Sequence, residues 1–517
     1  MTLRDLMGAG APDVPISSLA YASDAVASGA LFFCVPGFRA DGHDFAPDAV
    51  ARGAAALVCE RPLELGVPEV VVPDVRAAMG PAAARFYGDP TDELRVIGIT
   101  GTNGKTTTAY LVRALLEAAG VRCGLLGTVT SVVGGRQEPV ERTTPEAIDL
   151  QASFRRMLDA GDGACAIEVS SHALELGRAG GIRFAARVFT NLSQDHLDFH
   201  PSMEHYFLAK RTLFELPGGE PGVSIVNADD EWGRRLVEEL GGAVTYGVVH
   251  AADFRGRDVR FDPRGSRFEC DTPDGSIELT TRLPGHFNVL NSLAALAAVR
   301  PLGVRLEVAA RALAAADRVP GRMEPVDEGQ GFAVLVDYAH TPEALDNVLR
   351  AARELASGRL HVVFGAGGDR DKTKRPLMGR VASALADLVV VTSDNPRSED
   401  PEAIVDEVML GTARGAEREV DRRAGIARAL AGAEPGDVVV IAGKGHEQGQ
   451  EFAGGRKEPF DDVTEARAAL RRLLGRDADG PGAGGAAEPG RGGTRGAPPE
   501  RSPAGPEAGA GVAARMR

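Results

Sequence analysis

Short runs of apolar residues alternate with longer amphipathic stretches through the middle of the chain. The apolar runs predict β-strands over residues 95–100, 164–169, 187–192 and 223–227. The amphipathic stretches predict helices near residues 105–119, 147–160, 203–215, 289–300 and 306–316. Strands that alternate with helices are typical of a largely parallel sheet wrapped by helices. We therefore predict a central α/β domain over residues 94–318.

A second alternating set follows a Pro-Gly break at residues 319–322. Near-continuous runs of Val, Leu and Ile, which are typical of parallel strands buried on both faces, occur at residues 332–338, 360–366, 388–393 and 438–442. They predict a Rossmann-like α/β domain over residues 319–475. Ligands of such sheets bind beyond the carboxyl ends of the strands, so the loops that follow the strands are where site residues are expected.

The two ends of the chain differ from these regions. Residues 17–92 contain shorter apolar segments separated by turns, which predict a small α/β domain over residues 1–93. Residues 476–517 are mostly Gly, Ala and Pro without apolar periodicity. Such a tail cannot bury enough apolar surface to fold, so we predict that it is disordered. The predicted fold class is α/β with three domains and a tail.

Composition and charge narrow the possible functions. The 517 residues are 44% hydrophobic, which supplies enough apolar surface for several cores. The formal net charge is -15 and no basic stripe is visible, so we expect no nucleic-acid partner. Five scattered cysteines without CxxC pairing fit a reducing cytoplasm. No apolar run reaches the length of a membrane span, and we expect a cytoplasmic protein that acts on small molecules.

A glycine-rich turn links the predicted strand 95–100 to the helix that begins near Lys105. Its residues are Gly101, Thr102, Asn103, Gly104, Lys105, Thr106 and Thr107. Backbone N–H groups and the helix N-terminus can surround phosphate oxygens, the lysine can neutralise their charge, and the Thr106 hydroxyl can bind Mg2+. Ile99 stands where the general P-loop pattern has glycine, which disfavours an ordinary GTPase or transporter ATPase. The alternative is that the segment is an ordinary turn in which the glycines are needed only for the turn and its packing.

Two further strand ends carry polar clusters. Glu168 ends an apolar strand and is a candidate Mg2+ ligand beside Thr106, although a lone glutamate there is often only a cap. The next cluster packs two histidines and two aspartates into six residues and includes His196. From the residues alone it is a polar loop or a transition-metal cluster. Lys210, inside the helix near 203–215, is from its position a solvated helix lysine.

Taken together, the TGTNGKTT turn, the EVSSHAL strand end at residues 168–174 and the histidine cluster resemble the Mur ligase family from about residue 17 to 474. These are the ATP-dependent amide-bond-forming ligases of peptidoglycan precursor synthesis and their folylpolyglutamate synthase relatives. The resemblance implies an ATP site that also includes Asn291, Arg322 and Asp337. It further implies two Mg2+ ions, a metal contact at His196 and a carbamylated Lys210. The implied catalytic residues are Lys105, Glu168, His196 and Lys210.

Three loops of the last predicted domain resemble those of family members that add 2,6-diaminopimelate. They contain Gly-Gly-Asp-Arg-Asp at 367–371, Asp-Asn-Pro-Arg at 394–397 and Gly-Lys-Gly-His-Glu at 443–447. The implied contacts are Arg370, Asp394, Asn395, Pro396, Arg397, Gly443 and Glu447. Arginine can bind the distal carboxylate of this amino acid through two parallel hydrogen bonds. Thr373 stands where this loop commonly has glycine.

Contacts to a uridine nucleotide substrate are also implied by resemblance. They are Ser23, Phe38, Arg39, Ala40, Thr143, Thr144, Ser170 and Arg178. The chain departs from the family pattern at residues 22–24, where Ala-Ser-Asp replaces Asp-Ser-Arg and an arginine is missing, and at Arg142, where many relatives have asparagine.

The implied reaction is addition of diaminopimelate to UDP-N-acetylmuramoyl-L-alanyl-D-glutamate through an acyl phosphate, by a monomer. One alternative is a family ligase that adds lysine or extends folate, which should lack the combined loops at 394–397 and 443–447. A kinase or motor-type ATPase would not need His196 and Lys210. A non-catalytic nucleotide-binding protein should have lost Lys105 or Glu168.

Overall fold

The computed structural model describes residues 1–37, 40–140, 142–262 and 264–476. Its strands are β1 Ser18–Ala20, β2 Ala30–Phe33, β3 Ala54–Cys59, β4 Glu69–Val71, β5 Arg95–Thr100, β6 Cys123–Leu126, β7 Ser131–Val133, β8 Arg136–Glu138, β9 Ala164–Glu168, β10 Phe184–Phe189, β11 Gly218–Asn227, β12 Val244–Gly247, β13 Phe254–Asp262, β14 Gly265–Thr272, β15 Gly275–Thr281, β16 Glu324–Pro325, β17 Ala333–Asp337, β18 Leu360–Phe364, β19 Leu388–Val391, β20 Glu417–Arg418, β21 Val438–Ala442, β22 Gly449–Glu451 and β23 Lys457–Pro459.

The α-helices lie between these strands and at both ends of the described chain. They are α1 Leu3–Met7, α2 Ala46–Ala51, α3 Val75–Phe86, α4 Lys105–Ala118, α5 Ala147–Asp159, α6 Ser171–Glu175, α7 Met203–Glu215, α8 Glu231–Leu240, α9 His286–Val299, α10 Leu306–Ala315, α11 Pro342–Leu355, α12 Lys374–Leu385, α13 Pro401–Met409, α14 Arg422–Ala431 and α15 Asp462–Leu473.

Three sheets organise the fold and confirm the predicted α/β class. The first contains four parallel strands in the order β1-β2-β3-β4. The second contains eleven strands in the order β15-β14-β13-β12-β11-β10-β5-β9-β6-β7-β8, and its central strands from β13 to β6 are parallel. The third has the order β16-β17-β21-β18-β19-β20 and is parallel apart from β16. Residues Met1–Leu474 form one compact unit.

The central sheet differs from the sequence prediction in several respects, and its strands β6, β7, β8 and β12 were not predicted. The strand predicted at 187–192 is β10, which begins and ends three residues earlier. Just after it, the Thr190 hydroxyl donates to the carbonyl of Asn103 at 2.6 Å. The antiparallel strands β13, β14 and β15 were not predicted. Their outward positions are polar or charged, so they lack the continuous apolar run that identified the buried parallel strands.

The arrangement of the parallel strands positions the site. β6, β9, β5, β10 and β11 lie side by side, so the residues after their carboxyl ends meet at one edge of the central sheet. The carboxyl ends of β17, β21, β18 and β19 meet in the same way in the third sheet. Within the four described ranges, no helix has the length and apolar character needed to cross a membrane. The predicted disordered tail, from residue 477 onward, lies outside the described residues.

Candidate active site

A cleft of about 550 Å³ lies between the carboxyl edge of the central sheet and loops of the third sheet. Most of the predicted site residues line it. They are Thr102, Asn103, Gly104, Lys105, Thr106, Thr107, Thr143, Glu168, Ser170, His196, Asn291, Arg322, Asp337, Arg370, Asp394, Asn395, Arg397, Gly443 and Glu447. The structure therefore brings the predicted nucleotide loop and the predicted amino-acid loops to one cavity.

The turn between β5 and α4 has the geometry of a phosphate-binding loop. Gly104 precedes the helix with φ of 86°, a left-handed conformation that favours glycine, and a Cβ there would stand 2.4 Å from Asn291 Oδ1. Lys105 Nζ donates to the carbonyls of Gly101 at 2.9 Å and Thr102 at 2.8 Å. The loop is thereby curled around the lysine amine at the N-terminus of a 14-residue helix.

Glu168, at the end of β9, accepts hydrogen bonds from two threonine residues. Its Oε2 accepts from Thr106 Oγ1 at 2.9 Å and from Thr128 Oγ1 at 3.1 Å, and its Oε1 accepts from the Thr128 N–H at 2.8 Å. The carboxylate is 1% exposed. Buried oxygen donors of this kind fit a hard cation such as Mg2+. Among the described residues, His, Cys, Asp and Glu do not form metal-binding groups of three or more.

His196 sits beside a buried carboxylate in the loop after β10. Its Nε2 lies 3.4 Å from Asp195 Oδ2, and its φ of 55° is left-handed. Burial lowers the pKa of His196 to about 3, against the smaller opposing effect of Asp195. Burial would raise the pKa of Asp195, but hydrogen bonding to His340 and the charge of Lys374 hold it well below its usual range. The loop therefore presents an ionised aspartate and a neutral imidazole.

Lys210 is buried, contrary to the reading of its helix position alone. It is 1% exposed, its Nζ donates to the carbonyl of Gly101 at 2.8 Å, and it lies 4.5 Å from the centre of the Tyr206 ring. Burial, together with the charge of Lys105, holds the pKa of Lys210 well below its usual value. Burial of this kind disfavours the charged ammonium form of the amine.

The third sheet contributes two groups to the nucleotide side of the cleft. Arg322 Nη2 donates to Thr106 Oγ1 at 3.1 Å, and its guanidinium stacks 4.6 Å from the centre of the Tyr338 ring. Asp337, at the end of β17, accepts from the N–H groups of Met323 and Ala339 at 2.8 Å each. Burial raises the pKa of Asp337. A cation thus approaches the phosphate loop from a different sheet.

The amino-acid end of the cleft contains a buried carboxylate of which one oxygen has no hydrogen-bond donor among the described residues. Asp394 is 7% exposed, and its Oδ2 accepts no hydrogen bond from the part of the chain that the structure describes. Burial would raise the pKa of Asp394, but the charges of Lys444 and Arg422 lower it further, so the group is ionised. A buried, unsatisfied carboxylate oxygen that lines a cavity fits an ammonium group of a ligand.

Hydrogen bonds orient the neighbouring groups of this pocket. Arg397 has a left-handed φ of 52°, and its Nη1 and Nε donate to Gly368 O at 2.7 Å and to Glu451 Oε2 at 3.2 Å. Asn395 Nδ2 donates to Glu447 Oε2 at 2.8 Å, and buried Lys444 donates to both residues. Pro396 is buried against Gly368, while Arg370 is exposed at the rim.

The structure places some of the predicted nucleotide-substrate contacts in or beside the cleft and others away from it. Thr143 and Ser170 line the cleft, and next to them Thr144 Oγ1 donates to Glu168 O at 2.8 Å while Arg178 Nη1 donates to Thr144 O at 3.3 Å. Ser23 and Ala40 lie outside the cleft lining, where the Ser23 hydroxyl bonds the Asp48 carboxylate. Phe38 and Arg39 lie outside the described residues.

Four further residues of the site were missed by the sequence prediction. Thr128, Asp195, His340 and Lys374 all line the cleft. Thr128 follows β6, which neighbours β9, so the rule that strand ends meet could have identified it. Asp195 belongs to the histidine and aspartate cluster that includes His196, and His340 lies three residues after the predicted Asp337. No local sequence pattern could have identified Lys374, because its contact with Asp195 joins residues that are 179 positions apart.

We expect stability to decrease as the pH falls from about 6.5 to about 4. Burial, reinforced by Lys210, lowers the pKa of His172 and His200 to about 4, and His196 behaves likewise. The unfolded chain takes up these protons near pH 6.5, whereas the folded chain does not, so acid favours unfolding. Asp230, whose pKa burial raises to about 6, acts in the opposite direction together with Asp337 and Asp462, whereas His446, whose pKa burial lowers to about 4, adds to the effect of the other histidines.

Urea unfolding at a series of pH values measures this dependence. His200→Gln should reduce the slope, and His205→Gln, at an exposed histidine, serves as the control. A free energy of unfolding that stays constant or rises on acidification over this interval would contradict the burial argument.

Comparison with known proteins agrees with the geometry. Residues 15–87 match the Mur ligase family catalytic domain, residues 99–299 the Mur ligase middle domain and residues 321–445 the Mur ligase glutamate ligase domain. The UDP-N-acetylmuramoyl-L-alanyl-D-glutamate–2,6-diaminopimelate ligase of Geobacillus kaustophilus is 48% identical over 471 residues, which cover 89% of this chain and 96% of that protein.

Solved structures give the same result. A structure of a UDP-N-acetylmuramoyl-L-alanyl-D-glutamate–2,6-diaminopimelate ligase aligns with a TM-score of 0.64 at 35% identity and covers 89% of this chain and 96% of its own. MurF ligase from Thermotoga maritima, solved in complex with ADP, shares the fold with a TM-score of 0.62 at 20% identity, covering 90% of this chain and 100% of its own. With its three domain matches and these relatives, the chain belongs to the Mur ligase family.

Proposed function

We propose that this chain is an ATP-dependent ligase that joins 2,6-diaminopimelate to UDP-N-acetylmuramoyl-L-alanyl-D-glutamate in peptidoglycan synthesis. The observation that carries the proposal is one cleft with the Lys105 phosphate loop at one side and the Asp394 and Arg397 pocket at the other. The activity for which these relatives are named supports the same substrates. A cytoplasmic location and a monomeric state complete the proposal.

The reaction has two steps in this cleft. An oxygen of the D-glutamyl γ-carboxylate attacks the γ-phosphorus of ATP, and ADP leaves. The amine of diaminopimelate then attacks the acyl carbon, loses a proton and expels phosphate, so that an amide forms. Lys105 and Arg322 act mainly by holding mutually repelling anions in line.

Metal binding is assigned to the oxygen groups at the end of β9. Thr106 and Glu168 would hold one Mg2+, and His196 with a carbamylated Lys210 would hold a second. Mg2+ supplies positive charge that offsets the charge developing on transferred phosphate oxygens. The buried amine of Lys210 fits carbamylation because the neutral form reacts with CO2. Asn291 and Asp337 are assigned to the adenosine portion of ATP.

The amino-acid pocket is assigned to diaminopimelate through its charges. Asp394, with the oxygens of Asn395 and Glu447 and the backbone of Gly443, faces the ammonium end. Arg397, supported by Arg370 at the rim, faces the distal carboxylate. Lysine carries the ammonium group but no distal carboxylate, so the arginine is the group that separates the two amino acids.

The nucleotide substrate is assigned to the opposite side of the cleft. We propose contacts from Ser23, Phe38, Arg39, Ala40, Thr143, Thr144, Ser170 and Arg178. The supporting observation is that Thr143 and Ser170 line the cleft beside Glu168. The proposed domains are residues 1–93 for this substrate, 94–318 for ATP and 319–475 for the amino acid, followed by the tail 476–517.

Arg397→Ala tests the amino-acid assignment. Hydrogen bonds to charged groups contribute about 1.5–3 kcal/mol, so kcat/KM for diaminopimelate should fall by about tenfold to a hundredfold. The kcat/KM for lysine should decrease little. The preference for diaminopimelate over lysine, measured as the ratio of their kcat/KM values, should therefore decrease. Phosphate release with each amino acid, in the presence of ATP and the nucleotide dipeptide, is the measurement.

Arg456→Ala, at an exposed arginine outside the cleft, is the matched control and should leave both values unchanged. Equal losses for lysine and diaminopimelate in Arg397→Ala would show that Arg397 only supports the loop, and the amino-acid assignment would lose its physical basis.

A further inference from the structure

The loop after β10 contacts the start of α12 through a buried ion pair. Asp195 Oδ1 lies 3.4 Å from Lys374 Nζ, and the two residues are 5% and 3% exposed. Asp195 Oδ2 is also 3.7 Å from His340 Nε2. Lys374 and His340 both follow strands of the third sheet, whereas Asp195 belongs to the central sheet. Removing one partner of a buried pair leaves the other charge uncompensated, so each of these two residues depends on the other once the loops are joined.

A side-chain network continues the same contact outside the cleft. Gln194 Nε2 donates to Asp371 Oδ2 at 3.1 Å and to Thr373 Oγ1 at 2.9 Å. The Thr373 hydroxyl in turn donates to Asp371 Oδ1 at 2.6 Å. The Thr373 hydroxyl therefore accepts a hydrogen bond from the other loop and donates one within its own loop, which fixes its orientation toward Gln194.

The two loops carry groups with different assignments. Asp195 is adjacent to His196, and its second carboxylate oxygen lies 3.4 Å from the His196 ring. The segment from Asp371 to Lys374 directly follows Arg370, which lines the amino-acid end of the cleft. The contact thus joins the phosphate side of the cleft to its amino-acid side. Gln194 and Asp195 contribute from the first loop, and Asp371, Thr373 and Lys374 contribute from the second.

We infer that Asp195 with Lys374, and Gln194 with Thr373 and Asp371, form a closure contact that positions the His196 loop against the amino-acid pocket. Gln194, Thr373 and Asp371 are absent from the cleft lining in the described part of the chain, so they act through other residues and are positioning residues. The contact holds the reacting amine near the acyl phosphate, and this role rests on the proposed ligation. Its outer part can be weakened without altering the groups that face substrate.

A double-mutant cycle tests whether the outer residues act together. Thr373→Val keeps the side-chain shape and removes the hydroxyl, and Gln194→Leu removes the amide. We expect each to lower kcat/KM for diaminopimelate by about two- to fivefold, the lower part of the range for neutral hydrogen bonds, with KM for ATP unchanged. The loss in the double variant should be smaller than the two single losses combined, because the bond from Gln194 to Thr373 is removed by either substitution. Thr373→Ser retains the hydroxyl and should match the unchanged protein.

Hydrogen–deuterium exchange of residues 191–196 gives a readout that does not depend on which amino acid is used. Thr373→Val should accelerate exchange in this segment, although the substitution lies in the other loop, and Thr373→Ser should not. Unchanged exchange with unchanged kinetics, or losses that add fully in the double variant, would overturn the inference. If exchange responds as expected but diaminopimelate supports no turnover in any variant, the closure contact stands and the proposed ligation fails.

Discussion

Lys105→Ala is expected to abolish ATP turnover almost completely. The Lys105 amine is held inside the loop by the carbonyls of Gly101 and Thr102, at the N-terminus of α4. Alanine leaves the loop backbone but removes the charge that offsets the phosphate oxygens during transfer. Losses of a single such group reach about a hundredfold to a thousandfold, and we expect at least this decrease.

The measurement is phosphate release with ATP, the nucleotide dipeptide and diaminopimelate together. Lys457→Ala, at an exposed lysine in β23, is the matched control and should retain full activity. Thermal unfolding of both variants checks that the fold persists, because Lys105 is replaced at a loop position. Full turnover in Lys105→Ala would contradict the proposal that this loop binds the ATP phosphates.

Lys210→Ala is expected to abolish ligation, and short carboxylic acids are expected to restore part of it. The Lys210 amine is buried, bonded to Gly101 O, and its pKa is well below the usual value because of burial and the nearby Lys105 charge. Two ammonium groups this close would repel each other. Conversion to a carbamate replaces the repulsion with attraction and places oxygen atoms beside the proposed metal, so the lost function is that of a carboxylate.

Lys210→Arg separates this explanation from a simple requirement for positive charge. Arginine stays protonated and cannot form the carbamate, so the variant should be as inactive as Lys210→Ala. Intact mass measurement with and without CO2 detects the adduct directly. Full activity of Lys210→Arg would exclude carbamylation as the function of this residue.

Local sequence patterns determined much of the fold and half of the site. The Val, Leu and Ile runs identified the buried parallel strands, because a strand covered on both faces needs apolar residues at every position. The glycines of the phosphate loop and Glu168 at the end of β9 were identified because their roles depend on backbone conformation and strand position. Both properties are encoded within about ten residues.

Tertiary structure decided the rest, since it depends on contacts between distant segments. Lys210 occupies an ordinary helical position, and only the packing of α7 beside the phosphate loop buries its amine and lowers its pKa. Lys374 acquires its partner Asp195 from another sheet. Asp394 is left with an unsatisfied carboxylate oxygen, among the described residues, only because neighbouring strand ends enclose it. Burial and pairing are properties of the assembled sheets, and no periodicity within a single segment contains them.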